Sequence, residues 1–135
     1  MSTLARARHG LWRVAVVEDS MAPGVAAGDW LLLDPTGSSW PREGSVVVFR
    51  EPESELLAIK RVAARGGAHV QIEEGILHLE HDEAWLVGDA AERSVDSRRY
   101  GPVPFDRYVG RAWFRYAPLR RLGRVQGRRA NRAAT

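Results

Sequence analysis

Ser45-Val46-Val47-Val48-Phe49-Arg50-Glu51-Pro52-Glu53-Ser54-Glu55-Leu56-Leu57-Ala58-Ile59-Lys60-Arg61-Val62-Ala63-Ala64 holds two short apolar runs around one turn. Ser45 to Arg50 and Leu56 to Ala64 read as strands, and Glu51-Pro-Glu-Ser54 reads as the turn between them. The same grammar extends in both directions. Upstream lie the apolar run Leu11 to Val17 and the turn-to-strand segment Gly28-Asp-Trp-Leu-Leu-Leu33. Between them and the central pair, Pro35 to Gly44 is loop-like, rich in Pro, Gly and Ser. Downstream, Gly66-Gly67 marks a tight turn, and His69-Val-Gln-Ile72 and Ile76-Leu-His-Leu79 predict a hairpin around Glu74-Gly75. Ala84 to Val87 is a further short strand, and Val109 to Tyr116 is the last, closed by Pro118. Short strands, frequent turns and little helical periodicity predict a mainly β domain, closed or sandwich-like. The one short helix expected begins near Ser20, which could serve as its N-cap, with Pro23 and Gly24 keeping it short.

The chain has 135 residues, 44% of them apolar and 27% charged, as in an ordinary globular protein. That length favours one domain. It is expected over residues 11–118, between a flexible N-terminus (1–10) and an Arg-rich C-terminal tail (119–135). There is no cysteine, which excludes disulfide staples, thiolate catalysis and Cys-based zinc sites. No apolar run approaches the roughly 20 residues a spanning helix needs, and Met1 to Gly10 lacks the apolar core of a secretory signal. The expected location is the cytoplasm.

Net charge is +3, but between Arg111 and Arg132 lie eight arginines and no acid. Nucleic acid or an anionic surface could meet such a run, although a solvated terminus is the plainer reading. Of the 20 basic residues, Lys60 is the single lysine. Arginine does not give up its proton at working pH, whereas a buried lysine can. A lone lysine is therefore a candidate for a site that needs a neutral amine. No metal or other cofactor is expected. His78 and His81, near Glu80 and Asp82, would diverge on a strand-turn and lack a well-placed third ligand.

Three segments carry chemistry-bearing residues. They are Glu18-Asp-Ser-Met-Ala-Pro23 with Gly28-Asp29, then Leu57-Ala-Ile-Lys-Arg-Val62, then Gly88-Asp-Ala-Ala-Glu-Arg-Ser-Val-Asp-Ser-Arg98 with Gly101-Pro-Val103. In this order they resemble the signal peptidase I family, the Ser/Lys endopeptidases, over about Val14 to Tyr116. The resemblance implies a LexA/signal peptidase-like β-fold with short helical turns, Ser20 as nucleophile and Lys60 as general base. The chemistry accounts for the pair. A serine hydroxyl needs a neighbouring base, and a lysine serves as one once burial has lowered its pKa. The resemblance further implies that Ser94 orients Lys60 and that Asp96 and Arg98 pair beneath the site, as side chains on one side of an extended segment. Asp89 would brace the loop, and Gly88 and Gly101 would allow close approach or unusual φ. Met21 would line the substrate cleft, and Pro23 would fix the turn.

The Ser20 backbone N–H is the expected oxyanion donor. The position two residues earlier, where many family members place a hydroxyl or a small residue, is Glu18, which cannot donate when ionised. The usual Asn of Gly-Asp-Asn is Ala90, and Pro23-Gly-Val25 departs from the usual Pro-Thr-Leu. The expected partner is a protein precursor whose N-terminal leader is removed. Gly101-Pro-Val103 and Gly110-Arg-Ala112 resemble the soluble branch that matures nickel-type superoxide dismutase. Self-cleavage of the LexA type is not expected, because no Ala-Gly or Cys-Gly pair precedes Ser20. A non-catalytic binding module working through the Arg-rich tail is the alternative from another class.

Overall fold

The computed structural model describes residues 4–6 and 13–127. The expectation for residues 1–10, apart from 4–6, and the end of the Arg-rich run beyond residue 127 lie outside the described residues. Eleven strands are described: β1 (Leu4–Arg6), β2 (Arg13–Val16), β3 (Trp30–Asp34), β4 (Val46–Arg50), β5 (Leu57–Arg65), β6 (His69–Ile72), β7 (Gly75–His78), β8 (Glu83–Val87), β9 (Val103–Pro104), β10 (Tyr108–Ala117) and β11 (Gly123–Arg124). The main sheet is antiparallel, in the order β1-β2-β3-β10-β4-β5-β8-β9, with β11 added to β10. β6 and β7 form a separate hairpin. The fold is therefore mainly β, with one four-residue helix, α1 (Ser97–Tyr100), and three single-turn 3-10 segments.

The central hairpin explains why the quoted stretch is decisive. Along β4, Val46 and Val48 enter one apolar cluster with Val14, Val16, Leu31, Leu33 and Ile59. Val47 and Phe49 enter a second with Trp40, Ala58, Val62 and Leu86. A strand buried on both faces reads as a continuous apolar run rather than an alternation. Each fully buried Val, Leu or Phe contributes about 1.5–3 kcal/mol, so this strand anchors two cores at once. The register then fixes the chemistry. Val48 faces Ile59, Val47 faces Lys60 and Val46 faces Arg61. A slip of one residue would move Lys60 to the other face of the sheet.

The helix expected at Ser20 is corrected to a single turn. Ala22 N–H donates to Asp19 O and Val25 N–H to Met21 O, but the chain goes no further into helix because Pro23 and Gly24 follow at once. Strand pairing also continues past Pro118, since β11 pairs with β10 through Phe114–Arg124 and Arg115–Gly123.

Candidate active site

Lys60 sits on β5 between Ala58 and Val62, which point to the same face and belong to the second core. Its side chain is 1% exposed. Ser20, four residues beyond the end of β2, is equally buried. Lys60 Nζ lies 2.9 Å from Ser20 Oγ, in hydrogen-bond contact. Desolvation in this pocket pushes the Lys60 pKa below its ordinary value. The charges of Asp96, Glu51 and Glu18 act against that shift, and Arg98 adds to it. The net shift is downward, which brings the neutral amine within easier reach than in a free lysine, while three carboxylates stand ready to stabilise an ammonium.

The loop after β8 closes on the Ser20 turn. Ala90 N–H donates to Ser20 O at 2.8 Å, and Gly88 N–H donates to Asp96 Oδ2 at 2.8 Å. At Gly88 there is no room for a side chain. A Cβ would stand 2.2 Å from Ser94 Oγ and 2.8 Å from the Ser20 carbonyl oxygen. Gly101 ends α1 at φ +84°, a conformation that favours glycine.

Three of the expected site residues have partners other than those the sequence suggested. The Ser94 hydroxyl donates to Asp96 Oδ2 at 2.5 Å rather than to Lys60. It lies beside Gly88, and its O–H is taken up by the carboxylate. Asp96 and Arg98 do pair, through Nε–Oδ1 at 2.9 Å and Nη2–Oδ2 at 2.5 Å, but not along an extended segment. Asp96 is the N-cap of α1 and also accepts the Arg98 backbone N–H, so the pair closes across the first helical turn. Met21 is placed inside the protein rather than on its surface. It is fully buried in the first core, and its Sδ accepts the Asp89 N–H at 3.4 Å. Pro23 is exposed on the turn, and its carbonyl accepts from Arg121.

Asp89 engages Arg61 through two contacts, Nε–Oδ1 at 2.9 Å and Nη2–Oδ2 at 2.7 Å. Arg61 Nη1 reaches on to Gly44 O and Gln126 O. The guanidinium beside Lys60 in sequence thus locks the site loop to two other segments. Sequence reading missed this role, and also that of Glu51, whose charge acts on Lys60. Arg61 directly follows the lone lysine and so points to the opposite face of β5, which was the available signal. Among the described residues the Ser20 backbone N–H makes no hydrogen bond, leaving it available to an incoming oxygen. Glu18 is half-buried and, as a carboxylate, offers no second donor. His78 and His81 are exposed. Within the Arg-rich run, Arg111 pairs with Asp34, and Arg115 and Arg121 pair with Asp29.

The sequence matches a known family over most of its length. The profile of the family described as "Signal peptidase, peptidase S26" matches residues 3–80 and 76–117. The chain is 32% identical to mitochondrial inner membrane protease subunit 1 of Xenopus tropicalis, over 77% of this chain and 68% of that protein. It is 25% identical to probable signal peptidase I-1 of Synechocystis sp., over 82% of this chain and 73% of that one. It is also 25% identical to thylakoidal processing peptidase 1 of Arabidopsis thaliana, over 77% and 41%. These matches define a peptidase of the serine endopeptidase class. The chain belongs to the signal peptidase family, peptidase S26. Among the described residues no helix is long and apolar enough to cross a membrane.

Proposed function

We propose that the chain removes N-terminal leaders from protein precursors, with Ser20 as nucleophile and Lys60 as general base and acid. The observation that carries this reading is the buried 2.9 Å contact between Lys60 Nζ and Ser20 Oγ. As Oγ attacks the scissile carbonyl carbon, its proton passes to Nζ and the carbonyl oxygen becomes an oxyanion facing the Ser20 N–H. The new ammonium, favoured by Asp96, Glu51 and Glu18, then gives its proton to the departing amine as the C–N bond breaks. In the second half, Lys60 takes a proton from water, whose oxygen attacks the acyl carbon. The ester bond breaks, and Ser20 Oγ recovers the proton from Nζ. Ser94, Asp96, Arg98, Asp89 and Gly88 act as positioning residues in this scheme.

The substrate put forward is the precursor of nickel-type superoxide dismutase, and the location put forward is the cytoplasm. The test is to incubate the purified chain with that precursor and follow its mass. Wild type trims the leader. Ser20→Ala and Lys60→Arg each lower the rate by at least about 10³-fold. Equal trimming by Lys60→Arg would remove the general-base role. Trimming of other precursors but not this one would remove the substrate and leave the dyad. Recovery of the chain with the membrane fraction of lysed cells would overturn the location.

A further inference from the structure

The dyad is closed. Ser20 and Lys60 are each 1% exposed, so a peptide bond cannot reach Oγ until something moves. One described element borders both strands that carry the reactive groups. β1 pairs antiparallel with β2, Leu4 opposite Val16, Ala5 opposite Ala15 and Arg6 opposite Val14. β2 is the strand that leads into Ser20. β1 also lies near β5, the strand that carries Lys60. The backbone of Leu4–Arg6 is therefore adjacent to both strands that deliver the reactive groups. An extended peptide approaching these groups would find its hydrogen-bonding edge, that of β2, already taken.

We propose that β1 is a built-in competitor for the peptide substrate, seated on β2 and β5 across the entrance to the dyad and displaced when a substrate strand binds. The proposal rests on the endopeptidase reading above. A competitor joined to the same chain only six residues before β2 acts at an effective concentration in the millimolar range. It scales the apparent affinity by the fraction of molecules in which it has left. Releasing it should lower KM and leave kcat unchanged, because the reacting groups are the same once the slot is open.

The chain contains no cysteine, which makes a reversible lock practical. In Ala5→Cys/Ala15→Cys the two thiols stand on directly opposed residues, close enough for a disulfide. With the leader-junction peptide of the precursor as substrate, the oxidised protein should show kcat/KM at least ten-fold below the reduced protein, with recovery on adding dithiothreitol. Ala5→Pro, which removes a ladder donor from β1, should lower KM about ten-fold at constant kcat. Equal activity of the oxidised and reduced forms, or a wild-type KM in Ala5→Pro, would overturn the proposal. A second readout does not need catalysis. In the Ser20→Ala background, a fluorescein-labelled synthetic peptide of the sequence Ser2 to Gly10 should bind the reduced double-cysteine protein and not the oxidised one. Redox-gated binding here, together with no hydrolysis of the precursor by the protein that retains Ser20, would sustain the competitor and sink the endopeptidase reading. Hydrolysis that ignores the lock would do the reverse.

Discussion

A single amine sets the character of the site. Lys60 is buried between Ala58 and Val62, and burial lowers its pKa from the ordinary 10.5. Two outcomes follow from that sign. The base form grows as pH rises through the folded-state pKa, so kcat/KM for precursor cleavage should rise along a single limb centred below 10.5. Stability moves in the same direction. Between the folded-state pKa and 10.5 the unfolded chain holds a proton that the folded chain has released, so unfolding free energy increases with pH across that interval and is flat outside it. Lys60→Met keeps the length of the side chain and discards the amine. It should abolish cleavage, raise stability at neutral pH by about 1 kcal/mol and lose that pH-dependent increment. Urea unfolding of both proteins at several pH values reads the difference. An unchanged midpoint together with an unchanged pH slope would mean that the amine is not desolvated. The importance of this residue was legible from composition, since it is the only lysine among 20 basic residues. Its surroundings were less legible: Leu56 is exposed and precedes the strand, whereas Ala58 and Val62, on the Lys60 face, are buried in the second core.

At the level of elements, the loop from Gly88 to Gly101 decides how firmly the Ser20 turn is held. Asp96 is the hub. Burial pushes its pKa up, but hydrogen bonds from Arg98, Ser94 and the Gly88 N–H outweigh that and leave it below the ordinary 3.8. Its contribution to stability is therefore complete above about pH 4 and is lost as pH falls through the folded-state value. Asp96→Asn should remove that acid-side loss and lower stability at pH 7, as a series of thermal melts between pH 2 and 7 would show. Gly88→Ala tests the close approach. Its Cβ would meet Ser94 Oγ at 2.2 Å and the Ser20 carbonyl at 2.8 Å, and the second contact is with backbone that cannot swing away. We expect a loss of about 2 kcal/mol and a fall in kcat larger than the change in KM, because the displaced group is Ser20 itself. Wild-type kcat in a stable Gly88→Ala protein would show that the loop yields without moving the serine. Strands β4 and β5 could be read from their apolar runs, whereas α1 could not. A four-residue helix lies far below the window in which a 3.6-residue period can be detected. Only its caps, Asp96 before it and Gly101 after it, leave a trace, and the Asp96-x-Arg98 spacing reads instead as an extended segment.

Across the whole molecule, the feature that no local pattern could reveal is the tie between the Ser20 turn and the C-terminal residues. Asp29 is 1% exposed, and its partners are far away in sequence. Arg115 Nη1 approaches Oδ2 at 3.2 Å across 86 positions, and Arg121 Nε approaches Oδ1 at 3.0 Å across 92. The same guanidiniums reach the carbonyls of Gly24 and Pro23, and Val125 packs against the first core. Charge counting sees this segment only as a basic run, because the acid that neutralises part of it lies in another strand's entry turn. Removing Asp29 leaves two guanidiniums facing each other over a buried gap. A fully buried ion pair costs about 3–5 kcal/mol when one partner is deleted. Arg121 is about a third exposed and water screens it, so Asp29→Ala should cost nearer 2 kcal/mol. The damage should concentrate at the two segments the carboxylate joins. In amide hydrogen exchange, residues 22–26 and 119–125 should lose protection first, while β4 and β5 keep theirs. If the carboxylate bridges these segments, Asp29→Ala combined with Arg121→Ala will destabilise by less than the sum of the single changes, with a coupling above about 0.5 kcal/mol. Strict additivity, with exchange loosened uniformly over the sheet, would mean that Asp29 serves only its own turn through the Ala26 N–H it accepts.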